Sequence, residues 1–532
     1  MGDWGATGIS RRESRGDEHG SPEGGGEVVH VTGRIRAKGA ALPVSWYELV
    51  TGHGRRGGRR KSLFLALSVA CLVAALNLYA PAGPTPVQRL LGSLILIAAA
   101  VPAFLWLRRP ELTPFMVFWG LVYGLYYGAP IFLLERFSRA YYLSDVIADQ
   151  DIVRALAFSL LGIVATLAGY YGPFRRVVAG VLPKVEMHWE RWRIHKPAVG
   201  TALGAVGVSA YVVSTSIPVP LWLQGPLSFL GDLSLLSIVY LFILQLLKLG
   251  DRTSLVLLWA VLVPLRILLG VSAGATFQGL IVVAAILLTY ATIRGRLPVR
   301  WLVLGFVAFL VVRTVQVEFR ELTWHEGRPA IGVLERLSVM AEVGVAPLSK
   351  PDFLRDAWQV GLSRVSHVMT FAEVVRLTPD YVPFWGGETY WPLVWKLVPR
   401  ALFPDKPLEI TGQEFGHRYG FLSPDDWVTS YNLPQLIEFY ANFGPAGVVV
   451  GMFLLGVLYR LVQSIFVHPR MGFGAAVAWL YLAVKLLVIA SALSLVVGGV
   501  VQALVFLWAV HVGVKIAETP GPRARPLGCV AT

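Results

Sequence analysis

Apolar residues in this chain fall in long unbroken runs separated by short polar segments. Runs of membrane-spanning length begin near Ser62, Leu90, Pro114, Ile152, Ala198, Phe229, Ser254, Phe277, Trp301, Phe439, Phe473 and Val500. A helix needs about 20 apolar residues to cross a hydrocarbon core of ~30 Å, so the pattern predicts about twelve transmembrane helices. Strands cross only as closed barrels of short alternating segments, and Leu302 to Val312 does not alternate. The expected fold class is an all-α polytopic membrane protein. Between the ninth and tenth runs lies a long polar segment. No convincing internal repeat is visible, which speaks against transporters built from repeated halves.

Composition agrees with this reading, at 55% hydrophobic and 15% charged residues. The formal net charge of +14 raises the question of nucleic acid. The cations cluster in alternate short loops, however: Arg55 to Lys61, Arg108-Arg109, Arg175 to Lys196, Lys248 with Arg252, Arg294 to Arg300, Arg460 with Arg470, and Arg523 with Arg525. Intervening loops such as Glu135 to Asp151 and Ser214 to Leu227 are acidic or uncharged. This is the positive-inside pattern of a membrane protein with both termini in the cytoplasm, and it leaves no role for nucleic acid. The expected organisation is a disordered cytoplasmic tail over 1–61, helices 1–9 over 62–318, an extracytoplasmic loop over 319–434, helices 10–12 over 435–517, and a cytoplasmic tail over 518–532. The N-terminal tail is rich in Gly, Arg and Glu and has too little apolar surface to offset its ordering entropy. Only Cys71 and Cys529 are present, so neither a disulfide framework nor a thiolate metal site is available.

Three cations lie inside spans, where an unpaired charge costs several kcal/mol. Arg266, Arg313 and Lys485 each sit about twelve residues from the cytoplasmic start of their helix, or ~18 Å along it, and so share a depth in the outer half of the bilayer. Each alone reads as a snorkelling or paired structural residue. Together they favour a cavity that receives an anion. His511, toward the cytoplasmic end of the last span, reads as structural.

The loop carries Arg364 and Arg400 among balanced charges, and its aromatic and Gly/Pro content concentrates between Pro383 and Tyr431. Trp385 and Tyr390 are two of many aromatics there whose faces suit sugar rings; interfacial Trp and Tyr belts are the competing account. Pro399 and Pro404 bracket Arg400, and Pro407 follows Lys406, a stiff turn-rich presentation. The planar fork of Arg400 and the point charge of Lys406 both suit phosphate.

Three elements carry a family resemblance: Pro383-Phe-Trp-Gly-Gly-Glu-Thr-Tyr390; Pro399-Arg400 with Phe403-Pro-Asp-Lys-Pro407; and Glu438-Phe-Tyr-Ala-Asn-Phe-Gly444 with Gly447, Gly451 and Gly456. In this order they resemble the O-antigen and exopolysaccharide repeat-unit polymerases of the Wzy type, over roughly Arg364 to Gly456. Phe403 stands where Trp is frequent, and Ile437 where Gly is often found. The resemblance implies a GT-C-like glycosyltransferase in the bacterial cytoplasmic (inner) membrane. It would transfer glycan from a polyprenyl-pyrophosphate carrier onto a second lipid-linked unit at the outer face. It also implies membrane lipid as a partner, with a flippase and a chain-length regulator nearby.

That chemistry needs cations to stabilise the departing pyrophosphate and a base for the acceptor hydroxyl. The expected catalytic residues are Arg400, Glu438 and Asp405, with Glu388 and His417 as further carboxylate and imidazole candidates. Arg266, Arg313, Arg364, Lys406, Lys485, Trp385 and Tyr390 are expected to bind substrate. Asp405 also reads as a turn cap or a partner of Lys406, and Glu438 as a first-turn acid that favours the helix dipole. No metal-ligand spacing and no phosphate-binding Gly-rich loop appears, so no metal or cofactor is expected. A glycan ligase, a polytopic transporter or flippase, and a non-catalytic scaffold of an assembly complex remain open alternatives.

Overall fold

The computed structural model describes residues 35–37, 40–42, 45–51, 58–80, 83–109, 112–137, 146–173, 180, 182–189, 197–217, 219–272, 276–320, 333–348, 353–396, 398, 403, 405–427 and 429–518. The chain divides into two units, Met1–Pro43 and Val44–Thr532. In the first, β1 (Ile35–Ala37) pairs antiparallel with β2 (Ala40–Leu42), Ile35 opposite Leu42.

The second unit is helical. It opens with α1 (Trp46–Thr51), within the stretch expected to be a disordered tail. Trp46 and Val50 are buried, and the Trp46 ring meets Phe473 at 4.9 Å. A short helix with two large apolar residues on one face has enough to bury when a partner surface is at hand.

The apolar helices follow in order: α2 (Gly58–Tyr79), α3 (Pro86–Arg108), α4 (Phe115–Gly128), α5 (Asp149–Tyr171), α6 (Pro197–Ser216), α7 (Leu221–Leu246), α8 (Arg252–Val271), α9 (Thr276–Arg294) and α10 (Val299–Arg320). The polar segment folds into α11 (Val333–Leu348), α12 (Phe353–Val365), α13 (Val368–Leu377), α14 (Pro392–Lys396) and α15 (Thr411–Arg418). Three helices close the chain: α16 (Gln435–Phe466), α17 (Phe473–Leu486) and α18 (Leu493–Glu518). Among the described residues nine helices are long and apolar enough to cross a membrane: α2, α3, α5 to α8, α10, α16 and α18. Three shorter apolar helices, α4, α9 and α17, occupy the positions of the other three apolar runs. The chain is thus a polytopic helical membrane protein. Apolar side chains exposed on α2 and α10, such as Phe64, Leu67, Val303 and Leu304, have the character of a lipid-facing surface. Within this unit α17 is buried at every residue from Phe473 to Val484.

One element departs from a simple span. Within α16 the backbone leaves helical geometry at Phe443 (φ −141°, ψ 16°) and Gly444 (φ 62°, ψ −150°), and Pro445 starts the helix anew. A positive φ is open to glycine at little cost, and Pro cannot continue a helix through its missing N–H. The break is sharp. A Cβ added to Gly447 would lie 2.2 Å from the Phe439 carbonyl oxygen, and one added to Gly451 would lie 2.3 Å from the Phe439 ring. In a straight helix residues eight and twelve apart sit ~12 and ~18 Å apart. Gln435–Asn442 therefore doubles back on the helix that follows. Leu436, Val448 and Met452 converge on Gly162 of α5, which also packs against α16 through close approach of Gly169 and Gly456 to the facing backbone.

Candidate functional site

The doubled-back segment is the platform on which the polar segment sits. Trp385 and Gly386 donate their N–H groups to the carbonyls of Ala441 and Asn442 at 3.1 and 3.3 Å. The Asn442 side chain then closes the joint: its Oδ1 accepts the Gly387 N–H at 2.8 Å, and its Nδ2 donates to Thr389 Oγ1 at 2.9 Å and to the Glu438 carbonyl at 2.8 Å. Together these three contacts need an amide with both a donor and an acceptor, which a carboxylate cannot supply. Gly386 and Gly387 adopt φ of 57° and 100°, and the turn they make brings the Tyr390 ring against Phe443, centroids 6.2 Å apart. Burial holds the Tyr390 hydroxyl protonated, far above its ordinary range.

Trp385 is buried, and the guanidinium of Arg418 lies over its ring at 3.9 Å while reaching Glu388 at 2.7 Å. Several aromatics of this stretch serve packing. Phe415, Tyr419, Phe421 and Tyr431 stack on one another, with Phe421 and Tyr431 4.5 Å apart and nearly parallel. Tyr419 shares a 2.8 Å hydrogen bond with Thr378, and burial raises its pKa. Trp391 and Trp427 remain exposed, the latter with the His417 ring 4.2 Å away.

Beside this joint is a cluster that the sequence reading missed. Lys396 forms an ion pair with Glu409, and Glu409 accepts a hydrogen bond from the Ser494 hydroxyl. The neighbouring Leu493 N–H donates to Glu438 Oε2 at 2.6 Å. Glu438 is sealed from solvent, and its Oε1 makes no well-formed hydrogen bond among the described residues. Lys396, Glu409 and Glu438 thus gather one cation and two carboxyl groups at the first turn of α18. The Lys396 stem passes over Gly498, where a Cβ would meet its Cδ at 2.6 Å. The only advance signal was that Lys396 and Glu409 flank the stretch from Pro399 to Pro407.

A second buried charge cluster lies among the spans. Asp232 of α7 accepts hydrogen bonds from Lys485 Nζ at 2.7 Å and from the Tyr481 hydroxyl at 3.0 Å, both on α17. Arg266 of α8 approaches the other Asp232 oxygen at 4.0 Å and lies over the Tyr211 ring at 3.5 Å. Two of the three cations read as sharing a depth therefore meet on one carboxylate that the sequence reading passed over. Arg313, half-buried, donates to Gln316 of its own helix at 3.0 Å.

The remaining expected residues are dispersed. Arg400 lies outside the described residues. Asp405 is exposed in a turn, and Lys406 reaches the Val398 carbonyl at 2.9 Å. Arg364 is in the last turn of α12. His511 accepts a hydrogen bond from the Trp189 indole at 3.3 Å, a structural contact. Among the described residues no three His, Cys, Asp or Glu side chains converge as a metal set.

Residues 170–507 match the model of DUF8712, a domain of unknown function. The chain belongs to this family. The DUF8712 match includes both charge clusters, the polar segment and all of α16. No curated protein and no solved structure matches the chain.

Proposed function

We propose that this DUF8712 protein is a polysaccharide polymerase of the bacterial cytoplasmic membrane. In this reading the polar segment faces outward, and glycan moves from a polyprenyl-pyrophosphate carrier onto a hydroxyl of a second lipid-linked repeat unit. The observation that carries the reading is the joint at Asn442. Two of the three stretches on which the polymerase resemblance rests, Trp385–Tyr390 and Glu438–Gly444, are far apart in sequence yet pair as one unit. An assembled pair of this kind is what a site needs to hold its geometry.

Within this reading Arg400 stabilises the leaving pyrophosphate, with Lys406 in support, and preorganised cations of this kind contribute orders of magnitude in rate. Of the expected carboxylates, Asp405 is open to an incoming hydroxyl, whereas Glu438 is closed in and engaged with Leu493. A base must come within hydrogen-bond reach of the proton it takes. We therefore give Asp405 that role and Glu438 the role of holding the doubled-back segment against α18. The exposed rim of Arg418, Glu388 and Trp427 suits hydroxyl edges and C–H faces of sugars. A flippase and a chain-length regulator would act alongside.

The test is the length distribution of surface and lipid-linked glycans in a deletion strain carrying the intact protein, Arg400→Ala or Asp405→Asn. Single repeat units on the surface acceptor with either variant support the polymerase. Long lipid-linked chains beside a bare acceptor mean a ligase. An unchanged ladder removes both and favours a transporter, the reading for which the buried Asp232, Arg266 and Lys485 group speaks, since intramembrane charges line transport pathways.

A further inference from the structure

Where α5 and α16 end side by side, two cations come together without an acid to balance them. Gly456 packs so closely on α5 that a Cβ would lie 2.2 Å from the Thr166 carbonyl oxygen. One turn further along both helices, the Arg460 guanidinium rests beside the Tyr170 ring, 5.7 Å from its centroid. The Tyr170 and Thr113 hydroxyls both donate to Gln463 Oε1, which fixes that ring. Residues 182–189 run along the end of α16: the Val185 N–H donates to the Ile465 carbonyl at 3.0 Å, and Lys184 Nζ donates to the Ser464 carbonyl at 3.0 Å. The backbone thereby holds Lys184 near Arg460. Burial and the nearby guanidinium both lower the pKa of Lys184.

Among the described residues neither cation has a carboxylate partner, and Glu186, the acid nearest to Lys184 in sequence, is shared between His188 at 3.2 Å and Arg470 at 3.8 Å. Nε and Nη1 of Arg460 are shut off from solvent with no hydrogen-bond partner. Lys184 spends one of its three ammonium donors on Ser464. A guanidinium withdrawn from water and left unpaired is costly, and a bound anion removes that cost. Position and chemistry select the anion. Arg460 lies six residues before the end of α16, or ~9 Å, where lipid headgroups begin. Val450 and Leu454 of the same helix are exposed and apolar, so the pair borders the lipid-facing surface. The cation excess of these loops predicts the cytoplasmic side, whose leaflet carries anionic phospholipid. A planar guanidinium fork with an ammonium beside it suits a phosphate group.

We infer that Arg460 and Lys184 form a phosphate-binding site at this end of the spans, with Tyr170 as its wall. The phosphate group is that of an anionic phospholipid headgroup or of a phosphorylated solute, and the two cations recognise what these share. The site lies ~22 Å along α16 from the break at Pro445, away from the joint at Asn442. The inference does not depend on the proposed reaction.

Thermal unfolding of the full-length protein tests it in phosphatidylcholine nanodiscs, in nanodiscs that also contain phosphatidylglycerol, and in phosphatidylcholine nanodiscs titrated with inorganic phosphate. A ligand that binds only the folded state raises the unfolding temperature. At least one addition should raise it by several degrees in the parent; Arg460→Gln should abolish the rise and Lys184→Gln should reduce it. A rise with phosphatidylglycerol alone assigns the site to a lipid headgroup, and a rise with inorganic phosphate shows that a soluble ligand suffices. Arg252→Gln removes an exposed cation at the start of α8, outside the site, and should keep the parent's rise. No rise with either addition would overturn the site, as would an equal rise in the parent and both site variants. Loss of the rise in Arg252→Gln as complete as in Arg460→Gln would also overturn it, since the effect would then be general attraction between anions and a basic protein. Lys184→Gln decides the matter if Arg460→Gln does not fold.

Discussion

The two buried charge clusters solve one electrostatic problem with opposite excess. Among the spans, Asp232 is shared by two cations, Arg266 and Lys485. At the first turn of α18, Lys396 faces two carboxyl groups, Glu409 directly and Glu438 through the adjoining residues of that turn. A surplus carboxyl can be neutralised by a proton, whereas a surplus guanidinium or ammonium cannot shed its proton near neutrality. The cluster with surplus acid is thus the adaptable one, and it lies where the polar segment meets the spans. The cluster with surplus base is fixed in charge and ties α7, α8 and the buried helix α17 together.

The sharpest way to break this comparison is Asp232→Ala. It leaves Arg266 and Lys485 without their shared partner in an apolar interior, at a cost of about 3–5 kcal/mol. Loss of monodisperse protein on size exclusion is expected. Lys485→Met keeps the Asp232 and Arg266 pair and should retain folded protein; equal damage from the two variants would mean that Asp232 is not the hub. Next in size, Lys396→Met strands Glu409 with Ser494 alone, costing about 1–3 kcal/mol at pH 7.5. Adding Glu409→Gln to Lys396→Met should recover part of that loss in thermal unfolding, because the stranded carboxylate is then removed; no recovery would mean that Lys396 acts by packing alone. Glu438→Gln is expected to cost about 1 kcal/mol or less, because an amide carbonyl still accepts the Leu493 N–H. It should also retain polymer formation; a folded Glu438→Gln protein that makes no polymer would return the base role to Glu438.

The smallest effect concerns His468, outside both clusters. Its Nε2 contacts the Val185 carbonyl at 3.1 Å while Nδ1 accepts the Arg470 N–H at 3.3 Å, an arrangement that fits the neutral ring. Burial lowers its pKa below the ordinary 6.5. The folded state then binds fewer protons than the unfolded one, so this contribution is complete above pH 6.5 and declines as pH falls through the lowered value. His468→Gln should flatten that part of an unfolding profile between pH 7.5 and 5.

Hydropathy made the helices legible because a lipid-facing run has to be continuous, and each of the twelve runs begins at or near a helix. It could not reveal the doubled-back segment, since a window average reads Gln435 to Phe466 as one apolar stretch. The signal was there in Asn442-Phe-Gly-Pro445, a Gly-Pro breaker after a residue suited to holding a turn. Depth counting drew attention to Arg266 and Lys485 but also to Arg313, because distance along a helix says nothing of which face a residue takes. Asp232 escaped notice as one acid in a long apolar run. Lys396 and Glu409 escaped for another reason: charges in a polar segment default to water, and only the packing against Gly498 and Ser494 shows them turned inward.

The contact between Trp46 and Phe473 has a consequence for synthesis of the chain. The two rings are 427 residues apart in sequence. At ~5–20 residues per second, about 20–85 s pass between the emergence of α1 and that of the helix it docks on. Throughout that interval Trp46 and Val50 lack this partner. The first helix to be translated in this unit is thus among the last to reach its place, and the newborn chain carries an unsheltered apolar tag until its eleventh apolar run emerges.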